Sequence, residues 1–248
     1  KTVGQKWNDL FPYLSLKEDM EIQKTNIQEI KQQADFVILS LPNGLASQLV
    51  PQLLEQNLRV IDLSADYRFS SLDQWKSIYI NESQKYPRND SDLCKEAVYG
   101  LPEWNKEKIS DSRLVGSPGC FPTASLLSLL PFVNQGLIDT QGLIIDAKSG
   151  TSGGGRTAKQ NLLLAESSEG ITPYGVIGHR HTPEIETQLY ESSGLPINIQ
   201  FTPHLLPMVR GILVTIYARL RDPGLTAEDC TTVLEAIYRD RVFVDVLP

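Results

Sequence analysis

Thiol and imidazole chemistry in this chain has few candidates: Cys94, Cys120 and Cys230, and His179, His181 and His204. Cys120 has the most telling surroundings. Pro118-Gly119 puts a turn before it, and Pro122 suits the first turn of a helix that follows. A thiol there faces unpaired backbone N–H groups and the positive end of a helix dipole, which lower its pKa and favour the nucleophilic thiolate. The same N–H groups could hold an oxyanion or a phosphate oxygen. The plainer alternative is a small buried hydrophobe at a tight turn. Cys94, in a polar loop with no histidine nearby in sequence, and Cys230, in an amphipathic helix beside Asp229, are expected to be structural.

His179-Arg180-His181-Thr182-Pro183-Glu184 forms the second cluster. In extended backbone, residues 179 and 181 share a face with Arg180 opposite, and Pro183-Glu184 would begin a helix. Either histidine could be the general acid/base for a thiol nucleophile. Metal ligation competes with that reading but lacks a third ligand at a zinc-like spacing. His204, between Pro203 and Leu205, suits a turn or a core. The run SGTSGGGR (149–156) follows a strand, as phosphate loops do, yet matches neither GxGxxG nor GxxxxGK[ST]. It is a flexible loop or, with Lys148 and Arg156, an anion site. Ser64-Ala65-Asp66-Tyr67-Arg68 has the pattern of a turn with a surface ion pair.

The elements that would position these groups can be read from apolar patterning. Residues 26–34 make a short surface helix, and Phe36–Leu39, ended by Pro42-Asn43-Gly44, reads as a buried parallel strand. Ala46–Gln56 fits an amphipathic helix with Leu49, Leu53 and Leu54 inward and Pro51 within its first turns. Arg59–Ser64 is the next strand, completing a βαβ unit of a doubly wound sheet. Residues 70–107 read as loop and short helix. After strand 114–116, a helix is expected over Ala124–Asn134 and strands over 142–147, 197–202 and 211–218. A last helix, 226–238, opens on a Thr cap. The character changes near residue 117, so two domains are expected, 1–116 and 117–248, the second with a mixed sheet.

Composition bounds what such a chain can do. With 248 residues, 41% hydrophobic and 21% charged, it is an ordinary globular sequence. Its net charge of −7 argues against a nucleic-acid or anionic-membrane partner. Any anionic ligand must be met by a few local cations, with Lys148, Arg156, Arg180 and Arg210 the places to look. No apolar run approaches the roughly 20 residues of a membrane span. Three cysteines without a framework favour a reducing, cytoplasmic compartment. The opening KTVGQKW and the closing RVFVDVLP suggest a fragment of a longer chain.

Taken together, LPNG (41–44), DLSADYRF (62–69), YGLPE (99–103), GSPGCFPT (116–123), DAKSGTSGGGR (146–156), HRHTPEI (179–185) and FTPHLLPMVRGI (201–212) resemble the N-acetyl-γ-glutamyl-phosphate reductase family. The strings run in family order across most of the chain, and GCFPT with HRHTPEI is the most specific part. Aspartate-semialdehyde and glyceraldehyde-phosphate dehydrogenases share the Cys/His logic but not these strings. The resemblance implies a Rossmann-type NADP domain, incomplete here, joined to an α+β catalytic and dimerisation domain. It also implies a small acyl-phosphate substrate and a homo-oligomer, dimer or tetramer. Cys120 takes the family nucleophile's place, His179 the acid/base's and His181 a substrate contact's, though the two histidines could be exchanged. Arg156 and Arg210 are implied substrate contacts. Ser149, Gly150 and Gly153 match the loop beside the nicotinamide, and Pro42, Asn43 and Gly44 a loop after a cofactor-domain strand. The family's N-terminal glycine-rich loop and its C-terminal return to the cofactor domain have no match, as a truncated chain would give. The main alternative is a cysteine hydrolase or acyltransferase without nicotinamide; a non-enzymatic scaffold is the third.

Overall fold

Short runs of β-branched and apolar residues separated by helices must pair in parallel, because each crossover returns the chain to the same end of the sheet. The computed structural model, which describes residues 2–14, 19–155, 157 and 159–247, shows this in its first half. The elements there run α1 (Trp7–Leu10), α2 (Ile27–Gln33), β1 (Phe36–Leu39), α3 (Ala46–Glu55), β2 (Arg59–Asp62) and α4 (Leu72–Ile78). They continue with α5 (Ile80–Lys85), α6 (Ser91–Glu96), β3 (Val98–Tyr99), α7 (Pro102–Asp111) and β4 (Leu114–Gly116). The strands form one sheet in the order β1-β2-β4-β3, all parallel. A core of Leu39, Val50, Leu53, Val60, Tyr67 and Trp75 lies against one face.

Two expectations are corrected here. β1 is an edge strand rather than a buried one: Phe36 and Ile38 are 54% and 63% exposed, and only Leu39 is buried. Only one face of this strand is covered, so its continuous apolar run does not mean burial on both sides. In α3 the inward residues are Ala46, Ser47, Val50, Leu53 and Leu54, with Leu49 only half-buried. Pro51 falls in the second turn, beyond the positions that tolerate it without losing a helix bond.

The second half contains α8 (Cys120–Asn134), β5 (Leu143–Ser149), α9 (Leu164–Ser167), β6 (Thr172–Pro173), α10 (His181–Ser193), β7 (Ile199–Leu205), β8 (Ile212–Tyr217) and α11 (Ala227–Tyr238). Its sheet is mixed, in the order β6-β7-β5-β8, with β5 and β7 parallel and the other two pairs antiparallel. Alternation along β5 buries Leu143, Ile145, Ala147 and Ser149 while Ile144, Asp146 and Lys148 face away. The buried side joins Leu126, Leu129, Leu130, Ile185 and Leu189 of α8 and α10 in a second core. Thr226 caps α11 in a reciprocal capping box with Asp229. Helix α8 starts four residues before the expected Ala124, at Cys120 itself. Pro122 permits this, since N–H groups of a first turn have no intrahelical partner to lose. Among the described residues, no helix is long and apolar enough to cross a membrane.

Candidate active site

Cys120 is the first residue of α8 and is exposed, with Gly119 as N-cap. The thiol therefore stands at the helix end, beside the Cys120 and Phe121 N–H groups that a helix start leaves without intrahelical acceptors. It opens into a cavity of about 340 Å³, lined by residues that the sequence analysis had singled out separately: Ser149, Gly150, Gly153, His179, Arg180 and His181.

The histidines arrive differently from the expected extended pair. His181 is the first residue of α10, and Arg180, its N-cap, already has helical backbone angles. The two rings lie 4.8 Å apart between centroids, and Phe121 packs edge-on to both at 5.9 Å. Phe201 and Tyr174 complete an aromatic surround for His179. Burial, helped by the charge on Arg180, lowers the His179 pKa from 6.5 to about 4. His181, more deeply buried and facing His179, Arg68 and Arg180, falls to about 2. Both rings are neutral at physiological pH. The His181 backbone N–H donates to His179 Nδ1 at 3.1 Å, so the neutral His179 ring carries its proton on Nε2. His181 Nδ1 is buried without a hydrogen-bond partner among the described residues.

The glycine run forms the opposite wall. Residues Thr151–Gly154 make a short 3-10 turn pinned to the strand connection behind it by Gly150 N–H to Gly211 O, Thr151 N–H to Met208 O and Ser152 N–H to Val209 O. A Cβ on Gly150 would meet Val209 O at 2.7 Å, and one on Gly153 would meet Ser149 Oγ at 2.9 Å. The close packing of the loop on its backing segment and on Ser149 therefore requires glycine at both positions. The cavity mixes apolar side chains such as Phe121, Leu162 and Leu205 with a few polar groups, the makeup of a small-molecule or cofactor site. Lys159, Asn161, Glu166, Ser167, Thr172 and Tyr174 also line the cavity, and nothing in their spacing marked them beforehand.

Other expected residues fall elsewhere. Arg156 lies outside the described residues. Arg210 is exposed on the segment backing Gly150 and is not among the cavity residues. Lys148 points to the other side of β5, where its Nζ meets Asp146 Oδ2 at 2.5 Å. His204 belongs to β7 rather than a turn or core, with Nδ1 at 3.3 Å from Asp146 Oδ1. Cys94 is in α6 rather than a loop, buried against Arg88, and burial pushes its thiol up to about 11. Cys230 is half-buried on α11, away from the cavity.

The Pro42–Gly44 turn sits at the carboxyl end of β1, where open α/β sheets bind ligands. Two of its polar groups are held within the chain. Asn43 Oδ1 accepts from Ala65 N–H at 3.1 Å, and Gly44 N–H donates to Asp66 Oδ1 at 2.5 Å. Segment 62–68 is not the expected surface turn. Asp62 and Asp66 are fully buried, burial pushes the Asp62 carboxyl up to about 6, and Arg68 pairs with the buried Glu184 at 3.3 Å. Glu184 and its partner Tyr99 were missed. Glu184 could have been found from its place three residues after His181, which puts both on one face of a helix; Tyr99 carries no such signal. Among the described residues, no cluster of three or more His, Cys, Asp or Glu could hold a metal ion.

Comparison with known proteins agrees with this geometry. The semialdehyde dehydrogenase NAD binding domain matches residues 1–112, and the semialdehyde dehydrogenase dimerisation domain matches residues 120–248. N-acetyl-gamma-glutamyl-phosphate reductases of Prochlorococcus marinus strains MIT 9211 and MIT 9313 are 62% and 61% identical over the whole chain, which spans 69% and 70% of their lengths. That of Parasynechococcus marenigrum is 60% identical over 70% of its length. In fold, the chain is similar to aspartate semialdehyde dehydrogenase II from Vibrio cholerae (TM-score 0.64, 16% identity, covering 95% of this chain and 68% of that one). It is also similar to the aspartate semialdehyde dehydrogenase with NADP from Candida albicans (TM-score 0.57, 15% identity, 94% and 65%). The chain belongs to the N-acetyl-gamma-glutamyl-phosphate reductase family.

Proposed function

We propose that the chain carries out the NADPH-dependent reduction of N-acetyl-γ-glutamyl phosphate to N-acetylglutamate 5-semialdehyde and phosphate, a cytoplasmic step of arginine biosynthesis, with Cys120 as nucleophile. The observation that carries this reading is the cavity that brings together the Cys120 thiol, two neutral histidines and the glycine loop at Gly150 and Gly153.

The Cys120 thiolate attacks the acyl carbon, phosphate departs with its bonding pair, and a thioester remains on the sulfur. The helix-end N–H groups of Cys120 and Phe121 receive the negative charge that builds on the acyl oxygen. His179, with its Nε2–H as donor, hydrogen-bonds that oxygen and stabilises the charge that develops on it. His181 and Arg180 contact the substrate, the guanidinium facing one of its anionic groups. Ser149, Gly150 and Gly153, which share the cavity with Cys120, would hold the nicotinamide end of the cofactor, and Pro42, Asn43 and Gly44 another part of it. NADPH, when bound, would supply the hydride for the thioester carbon, after which the C–S bond breaks, Cys120 leaves as thiolate with the bonding pair and the semialdehyde is released. The unpartnered Nδ1 of the deeply buried His181 favours a second arrangement in which the two histidines exchange roles.

Incubating the full-length protein with semialdehyde, phosphate and NADP+ tests this reading. Nicotinamide absorbance rises if it is correct. A steady absorbance, with acyl transfer or hydrolysis instead, supports the hydrolase class. Oligomerisation is assigned to the open face of the second sheet, where Leu213 and Tyr217 are 60% and 57% exposed.

A further inference from the structure

Helix N-caps are usually Ser, Thr, Asp or Asn, whose side chains accept the first N–H groups. The cap of α8 is Gly119, which has no side chain to offer. The structure explains why: a Cβ on Gly119 would lie 2.4 Å from His181 Nε2, so the histidine's close approach excludes a capping residue. The turn that presents the thiol is therefore without its usual local restraint.

A different restraint, on the cap's own N–H, comes from Glu184. Its carboxylate is fully buried, and Oε1 accepts both the Gly119 N–H and the Tyr99 hydroxyl at 2.8 Å. Oε2 faces Arg68 Nη1 at 3.3 Å, and Arg68 Nε donates to Ser117 O at 2.7 Å. The Arg68–Glu184 pair thus grips the turn at Ser117 and at Gly119, on both sides of Pro118. Glu184 and His181 share one face of α10. One rigid helix brings the imidazole against the Gly119 Cα and the carboxylate to its N–H. A buried charge pair with both partners hydrogen-bonded is costly to break from one side, so the grip is stiff.

We propose that Glu184 is a positioning residue for the reaction, clamping the Ser117–Gly119 turn with Arg68 so that Cys120 stays in register with the histidines. This rests on reading Cys120 as the nucleophile. The loss expected is in turnover rather than binding, because a misplacement of about 1 Å can cost roughly 100-fold in rate.

Glu184→Ala and Glu184→Gln are compared with wild type and Cys120→Ser in the full-length protein, by kcat, KM and the rate of Cys120 alkylation by iodoacetamide, read by peptide mapping. Glu184→Ala is expected to lower kcat by roughly 100-fold with KM within about threefold, and to change the alkylation rate at Cys120 in parallel. Glu184→Gln, whose amide oxygen can still accept the Gly119 N–H, is expected to recover about tenfold of that loss. A folded Glu184→Ala variant with kcat within about twofold of wild type, or with lowered kcat and unchanged Cys120 alkylation, overturns the proposal. Should Glu184→Ala fail to fold, Glu184→Gln decides: a kcat lowered about tenfold at unchanged melting temperature supports the clamp, and wild-type kcat overturns it. Turnover surviving in Cys120→Ser overturns the nucleophile reading and the clamp with it. A dead Cys120→Ser beside an unaffected Glu184→Ala overturns the clamp alone.

Discussion

A thiol at the first position of a helix and a ring whose proton is placed on Nε2 are local facts with local consequences. His179 stays neutral in the folded chain down to about pH 4, while the unfolded chain titrates near 6.5. Below 6.5 the unfolded chain therefore binds a proton that the folded one refuses. The contribution is fully present above 6.5 and is lost as pH falls toward 4. Asp62 works in the opposite sense. Its carboxyl, raised to about 6, favours the fold at low pH, and that help fades as pH rises from 3.8 through 6. Comparing urea unfolding of wild type and His179→Asn at pH 7 and 4.5 cancels the Asp62 contribution. The variant should lose less stability on acidification, and an equal loss would contradict the account. In activity, His179→Ala should cost roughly 100- to 1,000-fold in kcat, the range for removing one oxyanion donor, and more than His181→Ala does. The reverse order would assign the role to His181.

The elements that matter most are the two helix starts, α8 and α10, and the backbone between them. Gly119→Ala should lower kcat by roughly 100-fold, since its Cβ cannot coexist with the His181 ring where it stands. Activity within about twofold of wild type would show that the ring yields at no cost. Asp66 holds the turn after β1 in the same manner, accepting Gly44 N–H and Ser47 N–H from a buried position. Asp66→Ala leaves both donors unpaired and should lower unfolding stability by about 2–4 kcal/mol, read as a reduced urea midpoint. Cys120, the histidine pair and the glycine loop were legible in the sequence because turn residues and proline advertise local geometry. The strand periods of the second sheet were legible for a similar reason: alternation is a local pattern. Glu184, Tyr99 and Arg68 were not recognised, since their roles arise where α10 meets the first half of the chain. The exposure of β1 was also hidden, because an apolar run does not say how many faces are covered.

At the scale of the whole molecule, the two halves of the chain meet at the candidate site. Arg68 and Tyr99 come from the first half, Cys120 and Glu184 from the second, so the ion pair that clamps the thiol turn also joins the two halves. Ser70 with Glu191 and Gln74 with Thr187 extend that contact along α10. The second sheet turns its other face outward, with Ile144, Leu213 and Tyr217 exposed, and this part of the chain is a semialdehyde dehydrogenase dimerisation domain. Leu213→Glu combined with Tyr217→Glu should shift sedimentation toward the monomer without unfolding it. An unchanged sedimentation coefficient would place the interface elsewhere. In this acidic chain, at −7 overall, Arg180 and Lys159 are cationic residues lining the cavity.

The central claim is a covalent thioester on Cys120. It is tested most directly by mixing the full-length protein with the acyl phosphate in the absence of NADPH and mapping the adduct by mass spectrometry. The account predicts an N-acetylglutamyl group on the peptide containing Cys120, absent in Cys120→Ser and discharged as semialdehyde when NADPH is added. An active enzyme that carries the acyl group on Cys94 or Cys230, or that turns over with no adduct at Cys120, would contradict it.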